Sequence, residues 1–358
     1  MTGEMNKKRV KIICLLTVFF LRALLLPSSH ANAEAAALHI LPTIDNDAYR
    51  LTIRIVDFPS NTPENAFLLN STYFSTKTIP NLLSGYLCED GYPINKEGVS
   101  MASLFSGSTL VNHLFPENAD GIWLFDSTQC FATLRDDVFT LYHELGTTDE
   151  ENATTLAHGQ FLPFNDLTPG IFSVRHTNKY DALGNALPDD DPRKDEQLYL
   201  VEDANHHFGL EMDVAFTYSS RNDDEEDVIA YFSADDDLWV YIDGCLILDL
   251  GGIHSAIPGS INFSTGAVTY RGSDGKDYTT KLYKFFQQRY REQHPEAQER
   301  EVQAYLNEVF LENSHWQMVF KEGTEHTMKL IYLERGAGAS NLCIQFNMDV
   351  LPKNIAGD

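Results

Sequence analysis

Three successive aspartates, Asp235 to Asp237, come directly before an apolar strand pattern in the stretch "DDDLWVYIDG". Adjacent carboxylates repel one another unless a cation or hydrogen-bond donors compensate their charge. Calcium is a natural compensator, because it takes about six to eight oxygen ligands from carboxylates, carbonyls and water. The triplet therefore suggests a calcium site, and the alternative is a solvated acidic turn that needs no ligand.

The residues after the triplet predict a β-hairpin. Leu238, Val240 and Ile242 alternate with their neighbours, as in a strand with one buried face. The pair Asp243-Gly244 is typical of a two-residue hairpin turn, and the chain then returns through "CLILDL". The aspartates would thus stand at the entrance to a strand.

Most of the remaining chain also consists of strand-length runs bounded by Gly, Asp, Asn or Ser. Examples are "AYRLTIRIVDF", "FGLEMDVAFTY", "VIAYFSA", "TMKLIYLE" and "NLCIQFNMDV". Several such runs without regular helices between them predict an all-β antiparallel sandwich or barrel. Residues 280–311 differ, because two apolar stripes at helical spacing predict an inserted helical hairpin that packs on the sheet or binds a partner.

The stretch "DDDLWVYIDGCLILDLGGIH" closely resembles the signature of the fibro-slime family, found on bacterial surface proteins. That family is related to the protective-antigen-type lectin-like domain of bacterial toxins, glycosidases and yeast flocculins. The resemblance continues in "AIPGSINFSTGAV" at residues 256–268 and in "IYLERGAGASNLCIQFNM" at residues 331–348. It is weaker upstream, in "FLPFNDL" and "NHHFGLEMDVAF", and would cover residues 38–351, with its core in residues 229–348.

The resemblance implies a two-sheet β-sandwich whose loops at one end bind a ligand. In the sugar-binding relatives, two adjacent aspartates joined by a cis peptide hold a calcium ion that coordinates sugar hydroxyls. Carried over to this sequence, the implied metal ligands are Asp235 and Asp236, with Asn341 from a later loop. A functional interpretation of "LDLGGIH" adds Asp249 near the metal.

Three further residues are candidates for contact with the ligand, namely Asp237, His254 and Trp239. Each has a structural alternative. Asp237 would be a strand-entry residue, His254 would be satisfied by backbone groups, and Trp239 would be part of the packing. Asp249 also has a structural alternative, in which it caps the Gly251-Gly252 turn.

The first 33 residues have the pattern of a secretory signal peptide, with a basic start, an apolar run and the small-residue site "ANA". The expected organisation is this signal, a single elaborated domain over residues 38–351 and a short tail over residues 352–358. Four cysteines follow the signal, at positions 88, 130, 245 and 343, and their pairing is open. Cys245 and Cys343 occupy expected outward positions, which hints at a bridge between neighbouring strands.

The chain has 26 basic and 52 acidic residues, a formal net charge of −26. Such a surface repels nucleic acid and anionic lipid and suits a protein that binds cations. No stretch after the signal is apolar for long enough to span a membrane.

The expected function is therefore a secreted or cell-surface, calcium-assisted carbohydrate-binding or adhesin-type module, a monomer whose partner is a glycan or surface glycoprotein. The alternative is a structural surface module in which the acidic loop only stabilises the fold. We expect no enzyme and no catalytic residue. Asp235 could be paired with Asp249 or Glu334 as glycosidase acids, but their spacing does not favour this, and the sequence has no nucleophile elbow, HExxH helix or phosphate-binding loop.

Overall fold

Strands dominate the computed structural model, which describes residues 40–59, 67, 69–118, 121–142, 145–148, 154–157, 161–165, 172–177, 197–201, 205–222, 224–336 and 340–353. These residues belong to one compact unit, Leu38–Asp358. The predicted signal peptide, residues 1–33, lies outside the described residues, as does most of the predicted tail.

In chain order the strands are β1 (Leu51–Asp57), β2 (Thr109–Leu110), β3 (Trp123–Asp126), β4 (Phe131–Arg135), β5 (Val138–Tyr142), β6 (Leu145–Thr148), β7 (Thr154–Ala157), β8 (Phe172–Thr177), β9 (Gln197–Val201), β10 (Phe208–Thr217), β11 (Ile229–Ala234), β12 (Asp237–Ile242), β13 (Cys245–Leu250), β14 (Ile257–Asn262), β15 (Ala267–Arg271), β16 (Asp277–Lys281), β17 (Phe310–Glu312), β18 (Met318–Phe320), β19 (Glu325–Glu334), β20 (Leu342–Phe346) and β21 (Asp349–Val350). Two α-helices, α1 (Leu282–Gln293) and α2 (Glu299–Val309), separate β16 from β17, and short 3-10 turns occupy Asn46–Ala48 and Met101–Ser103.

Two antiparallel sheets form the body of the protein. The first sheet has the order β13-β12-β19-β10-β1-β2, with β21 added beside β10, and the second has the order β16-β15-β14-β11-β20-β3. Alternate residues of both sheets meet in one buried apolar cluster, which includes Ile53, Val240 and Leu330 from the first sheet and Phe232 and Ile344 from the second. The predicted all-β antiparallel sandwich is confirmed.

The first sheet is covered on its other face as well. Trp239, Tyr241 and Ile331 point to that face and are buried with Leu83 and Phe105, which belong to the segment between β1 and β2. We call the described residues 67 and 69–106 the outer layer. Because of this layer, residues of β12 on both faces are buried.

The predicted helical hairpin is also confirmed. Its inner side chains Leu282, Phe286, Val302 and Leu306 join the core cluster between the sheets. The second helix begins at Glu299, after Gln298, whose backbone N–H donates to Glu301 Oε2 at 2.7 Å. No described helix is long and apolar enough to cross a membrane.

The cysteine positions differ from the expectation. Cys245 lies on β13 in the first sheet and Cys343 on β20 in the second, so they are not on neighbouring strands. Both are buried, and Cys88, Cys130 and Cys245 are free thiols. Strand alternation predicted an outward face for Cys245. Cys245 instead belongs to the main apolar cluster together with its strand partner Ile242, because the pairing of β12 with β13 shifts register between Val240 and Tyr241.

The chain passes between the two sheets at two adjacent places. Residues 235–236 connect β11 of the second sheet to β12 of the first, and residues 335–341 connect β19 of the first to β20 of the second. Because β12 pairs with β19 and β11 pairs with β20, the two connections lie side by side. We call residues 235–237 together with the described part of 334–341 the crossover corner. All three aspartates of the triplet lie there.

Candidate functional site at the crossover corner

Asp237, the first residue of β12, forms a buried ion pair with Arg335. The Arg335 guanidinium donates from Nη2 to Asp237 Oδ1 at 3.0 Å and from Nε to Oδ2, and neither side chain is exposed. The Gly252 N–H donates to the same Oδ1 at 2.6 Å. Arg335 also donates to the Asn70 carbonyl at 2.9 Å. Asp237 therefore fixes the strand entry to the second crossover, and its complete burial leaves it no surface for a ligand.

Asp236 accepts three backbone hydrogen bonds. Its Oδ2 accepts from the N–H groups of Arg335, at 2.9 Å, and Gly336, and its Oδ1 accepts from His254 at 3.2 Å. A Cβ at position 336 would lie 3.0 Å from Oδ2, so a glycine lets the backbone approach this closely. Burial, and next the neighbouring Asp237 charge, raise the pKa of Asp236 to about 7.

Asp235 lies at the rim of the corner, where it is 9% exposed. Asn341 donates from Nδ2 to Asp235 Oδ2 at 3.2 Å, and the Asp235 N–H donates to the Asn341 carbonyl at 2.8 Å. Burial and then repulsion from Asp236 hold the pKa of Asp235 well above its ordinary value. The structure thus brings three of the four candidate metal ligands, Asp235, Asp236 and Asn341, into one corner.

Glu334 is a fourth carboxylate at the corner that the sequence did not mark as a binding residue. It is fully buried, accepts from the Tyr332 hydroxyl at 2.9 Å and from the Gly336 N–H at 3.1 Å, and lies 3.9 Å from His206 Nδ1. Burial, then repulsion from Asp236 and Asp235, raises its pKa well above the usual range. Glu334 follows Leu330 and Tyr332 in a two-residue alternation, and this signal could have placed its side chain inside.

In the described contacts, the four carboxyl groups of the corner outnumber the one cationic side chain, Arg335. Asp237 is paired with the Arg335 guanidinium, whereas the described donors to Asp235, Asp236 and Glu334 are neutral amide, hydroxyl and backbone groups. Burial lowers the pKa of His254, and it lowers that of His206 to about 4, so both are neutral near pH 7. A bound cation would relieve the repulsion between these carboxylates.

The corner offers oxygen donors, which suit a hard cation such as calcium better than a soft metal. Within the described ranges, no three His, Cys, Asp or Glu side chains already converge in a metal-ligating group. The available oxygens are the carboxylates of Asp235 and Asp236 and the side-chain oxygen of Asn341. The peptide bond between Asp235 and Asp236 is trans, and not cis as the family resemblance implied.

Asp249 lies apart from these residues and has a structural role. Its Oδ1 accepts from Trp239 Nε1 at 3.0 Å and from the Gly251 N–H at 3.3 Å, and its Oδ2 accepts from the Asn81 N–H at 2.7 Å. Burial is the main cause that raises its pKa to about 6. Asp249 therefore caps the Gly251 turn and ties the outer layer to β13, instead of joining the other candidate metal ligands.

Trp239 and His254 are both fully buried, which corrects the expectation that they contact a ligand. Trp239 packs beneath the outer layer and donates to Asp249. The two ring nitrogens of His254 lie 3.0 Å from the carbonyl oxygens of Ser255 and Leu250. Each side chain thus follows the structural alternative given by the sequence.

Matches to curated proteins cover part of the chain. Protein psiB of Dictyostelium discoideum is 32% identical over 118 residues, which are 33% of this chain and 19% of psiB. Protein psiE of the same organism is 36% identical over 121 residues, 33% of this chain and 22% of psiE. Protein psiO is 26% identical over 185 residues, 51% of this chain and 22% of psiO. The chain thus spans about a fifth of the length of these relatives.

No family model matches the chain. Among solved structures, an anti-sigma factor domain-containing protein aligns with 87% of this chain and 80% of its own, at 9% identity and a TM-score of 0.19. A similarity this low carries no argument about fold or function.

Proposed function

We propose that the protein is a secreted or cell-surface carbohydrate-binding module of the adhesin type that binds calcium at the crossover corner. The observation that carries the proposal is the group of buried carboxylates, Asp235, Asp236 and Glu334, whose described donors are all neutral. The resemblance to the fibro-slime family supports the same assignment.

Calcium would be held by Asp235, Asp236 and Asn341. Each carboxylate oxygen has more than one lone pair, so Asp236 can keep its backbone donors and still face a cation. Because this protein supplies few ligands, the remaining coordination positions of the calcium ion are left for water or for two neighbouring hydroxyls of a sugar. Asp235 and Asn341 lie at the rim, where such a sugar would approach.

Calcium titration by calorimetry tests the proposal. We expect the wild-type protein to bind calcium, and Asp235→Asn and Asn341→Ala to weaken binding by about tenfold or more, because each loses one of few ligands. Asp224→Asn removes the same charge from an exposed loop and should bind as the wild type does. Absence of binding to the wild type, or equal binding to Asp235→Asn, would contradict the calcium site.

A structural surface module is the second candidate, and one observation favours it. The Asp237 to Arg335 ion pair and the three amide donors to Asp236 already join the two crossovers without a cation. A glycan array probed in calcium and in EGTA separates the two candidates. Calcium-dependent glycan signals support the binding module, and a blank array in both buffers supports the structural one.

A further inference from the structure

A cleft of about 800 Å³ lies at the edge of the first sheet. Its walls are β13, the β15–β16 hairpin, helix α1 and the part of the outer layer near residues 78–96. Clefts that hold small ligands have volumes of about 300–1,000 Å³. The volume therefore suits a small ligand. The residues that line the cleft include Asp249 but none of the described residues of the crossover corner.

An exposed aromatic ring is held rigidly in the wall of this cleft. Tyr278 is 44% exposed and stacks on Tyr270, with ring centroids 5.9 Å apart and an interplanar angle of 26°. Its hydroxyl donates to Asp274 Oδ2 at 2.9 Å. A Cβ at position 272 would lie 2.7 Å from the Tyr278 ring, so Gly272 leaves the space that the ring occupies. Such a fixed ring offers apolar contact area at little cost in conformational entropy.

Hydrogen-bonding side chains face the same cleft. Gln288 and Glu292, one helical turn apart on α1, are joined by a bond of 2.8 Å from Gln288 Nε2 to Glu292 Oε1. Arg289, between them in sequence, donates from Nη1 to the Asp243 carbonyl at 2.8 Å, which fixes its position. The cleft thus combines an aromatic platform with planar polar groups on one helix.

The charges that line the cleft are balanced and favour an uncharged ligand. The basic residues are Lys96, Arg271 and Arg289, and the acidic residues are Asp249, Asp274 and Glu292. The chain as a whole carries a formal net charge of −26, which disfavours an anionic ligand further.

A peptide that adds a strand to the sheet does not fit here. The outer layer already bonds to the edge of the first sheet, through Leu246 N–H to the Gly85 carbonyl at 3.0 Å and Leu87 N–H to the Gly244 carbonyl at 2.9 Å. At the other end of β13, Ile79 N–H donates to the Gly251 carbonyl at 2.7 Å. Strand addition needs free backbone groups along an edge, and these positions are occupied.

We infer that this cleft is a binding site for a neutral oligosaccharide, with Tyr278 as the stacking platform and Gln288 as a hydrogen-bonding contact. The inference extends the proposed carbohydrate-binding function to a second site and rests on it for the class of ligand. It does not depend on calcium, because the cleft and the crossover corner use different side chains.

The test is calorimetric titration of the full protein in EGTA with three neutral tetrasaccharides: cellotetraose, mannotetraose and chitotetraose. We expect at least one to bind, Tyr278→Ala to weaken binding by about tenfold, and Tyr278→Phe to keep most of it, because the ring remains. Gln288→Ala should weaken binding by about threefold or more. Trp316→Ala, which removes an aromatic residue 83% exposed on the β17–β18 loop, is the matched control and should bind as the wild type does.

Two outcomes overturn the cleft assignment: no binding of any of the three sugars in EGTA, or binding to a folded Tyr278→Ala within about twofold of the wild type. Circular dichroism checks that the variant is folded. Asp235→Asn distinguishes the two proposals, since it should weaken calcium binding by about tenfold or more and leave binding in the cleft intact. Sugar binding that requires calcium and is lost in Asp235→Asn would overturn the cleft assignment and support the corner.

Discussion

The side chains of Asp237 and Arg335, 98 residues apart in the sequence, form an ion pair with two hydrogen bonds, and neither is exposed to solvent. The pair joins the first residue of β12 to the residue that follows β19. Because both charges are buried, each depends on the other for compensation.

Removing the cation of this pair should strongly destabilise the protein. We expect Arg335→Met to lower the free energy of unfolding by about 3–5 kcal/mol, because Asp237 would remain as a buried, uncompensated charge. Urea denaturation measures this loss. The double variant Arg335→Met/Asp237→Leu should recover part of it, since neither charge remains.

An exposed ion pair is the matched control. Arg50 and Glu325 are 3.1 Å apart, with side chains 48% and 64% exposed. Arg50→Met should cost less than about 1 kcal/mol, because solvent screens the charges. Equal losses in the free energy of unfolding for Arg50→Met and Arg335→Met would show that burial does not determine how much an ion pair contributes to stability.

The stability of the protein without calcium should fall as the pH rises through the range in which Asp236 titrates. Its pKa is 3.8 ordinarily and about 7 in the folded protein, so between these values the folded state keeps a proton that the unfolded state has lost. The stabilising contribution is complete below about pH 4 and is lost as the pH rises through about 7, with a slope of at most about 1.4 kcal/mol per pH unit.

Comparison with Asp236→Asn removes this contribution, together with the part of the raised pKa of Asp235 and Glu334 that repulsion from Asp236 causes. His206 and His254 have lowered pKa values and contribute in the opposite direction, but they are present in both proteins. Urea denaturation in EGTA at about pH 4.5, 5.5 and 6.5 should give a more negative slope for the wild type than for the variant. Parallel stability curves would contradict the raised pKa of Asp236.

Trp239 should contribute to stability and not to ligand binding. Trp239→Ala should lower the free energy of unfolding by about 3–5 kcal/mol, because it leaves a cavity beneath the outer layer and removes a donor to Asp249. Trp316→Ala, at an exposed position, should change it by about 0.5 kcal/mol or less. Thermal or urea unfolding measures both, and a small loss for Trp239→Ala would mean that the outer layer does not pack as described.

Gly336 should be intolerant of a side chain. In Gly336→Ala the new Cβ would lie 3.0 Å and 3.2 Å from the two Asp236 carboxylate oxygens, so the carboxylate or the crossover must shift, at a cost of about 1–3 kcal/mol. Urea denaturation is the measurement, and calcium titration shows whether the site is displaced. Gly85→Ala is the control, since its Cβ would meet no atom closer than 4.0 Å. Equal stabilities of the two variants would argue against the close approach.

The local pattern of the sequence was sufficient to predict the hairpin after the triplet. The run "CLILDL" is β13 as observed, and both Asp243 and Gly244 have positive φ values, 47° and 71°, as the expected two-residue turn requires. Such features depend on residues a few positions apart, and for that reason one sequence is enough to predict them.

The same pattern could not show which faces of the sheet are covered. Alternation places Trp239 opposite the main core, but whether that face meets solvent depends on a segment more than 100 residues earlier in the chain. That segment has no regular pattern, so its packing over β12 was not predicted. Trp239 is buried because the outer layer packs over this face of β12.

Arg335 was missed for a related reason. It stands in "ERGAGASN", where nothing local distinguishes it from a surface arginine, and its partner Asp237 is distant in sequence. Charge compensation for the aspartates was expected from a metal, whereas one of the three is compensated by this arginine. Pairings over such distances become visible only once the strand order is known.

The sequence separation between paired strands at the two crossovers also sets the order in which the sheets can form during synthesis. β11 and β12 can pair early with β14 and β13, but their other partners, β20 and β19, are made about 110 and about 90 residues later, respectively. Until then each presents an unpaired edge to other unfinished chains, a known starting point for aggregation. Three adjacent negative charges between these two strands oppose such contacts through mutual repulsion, so the triplet would protect the growing chain before Arg335 exists to compensate any of it.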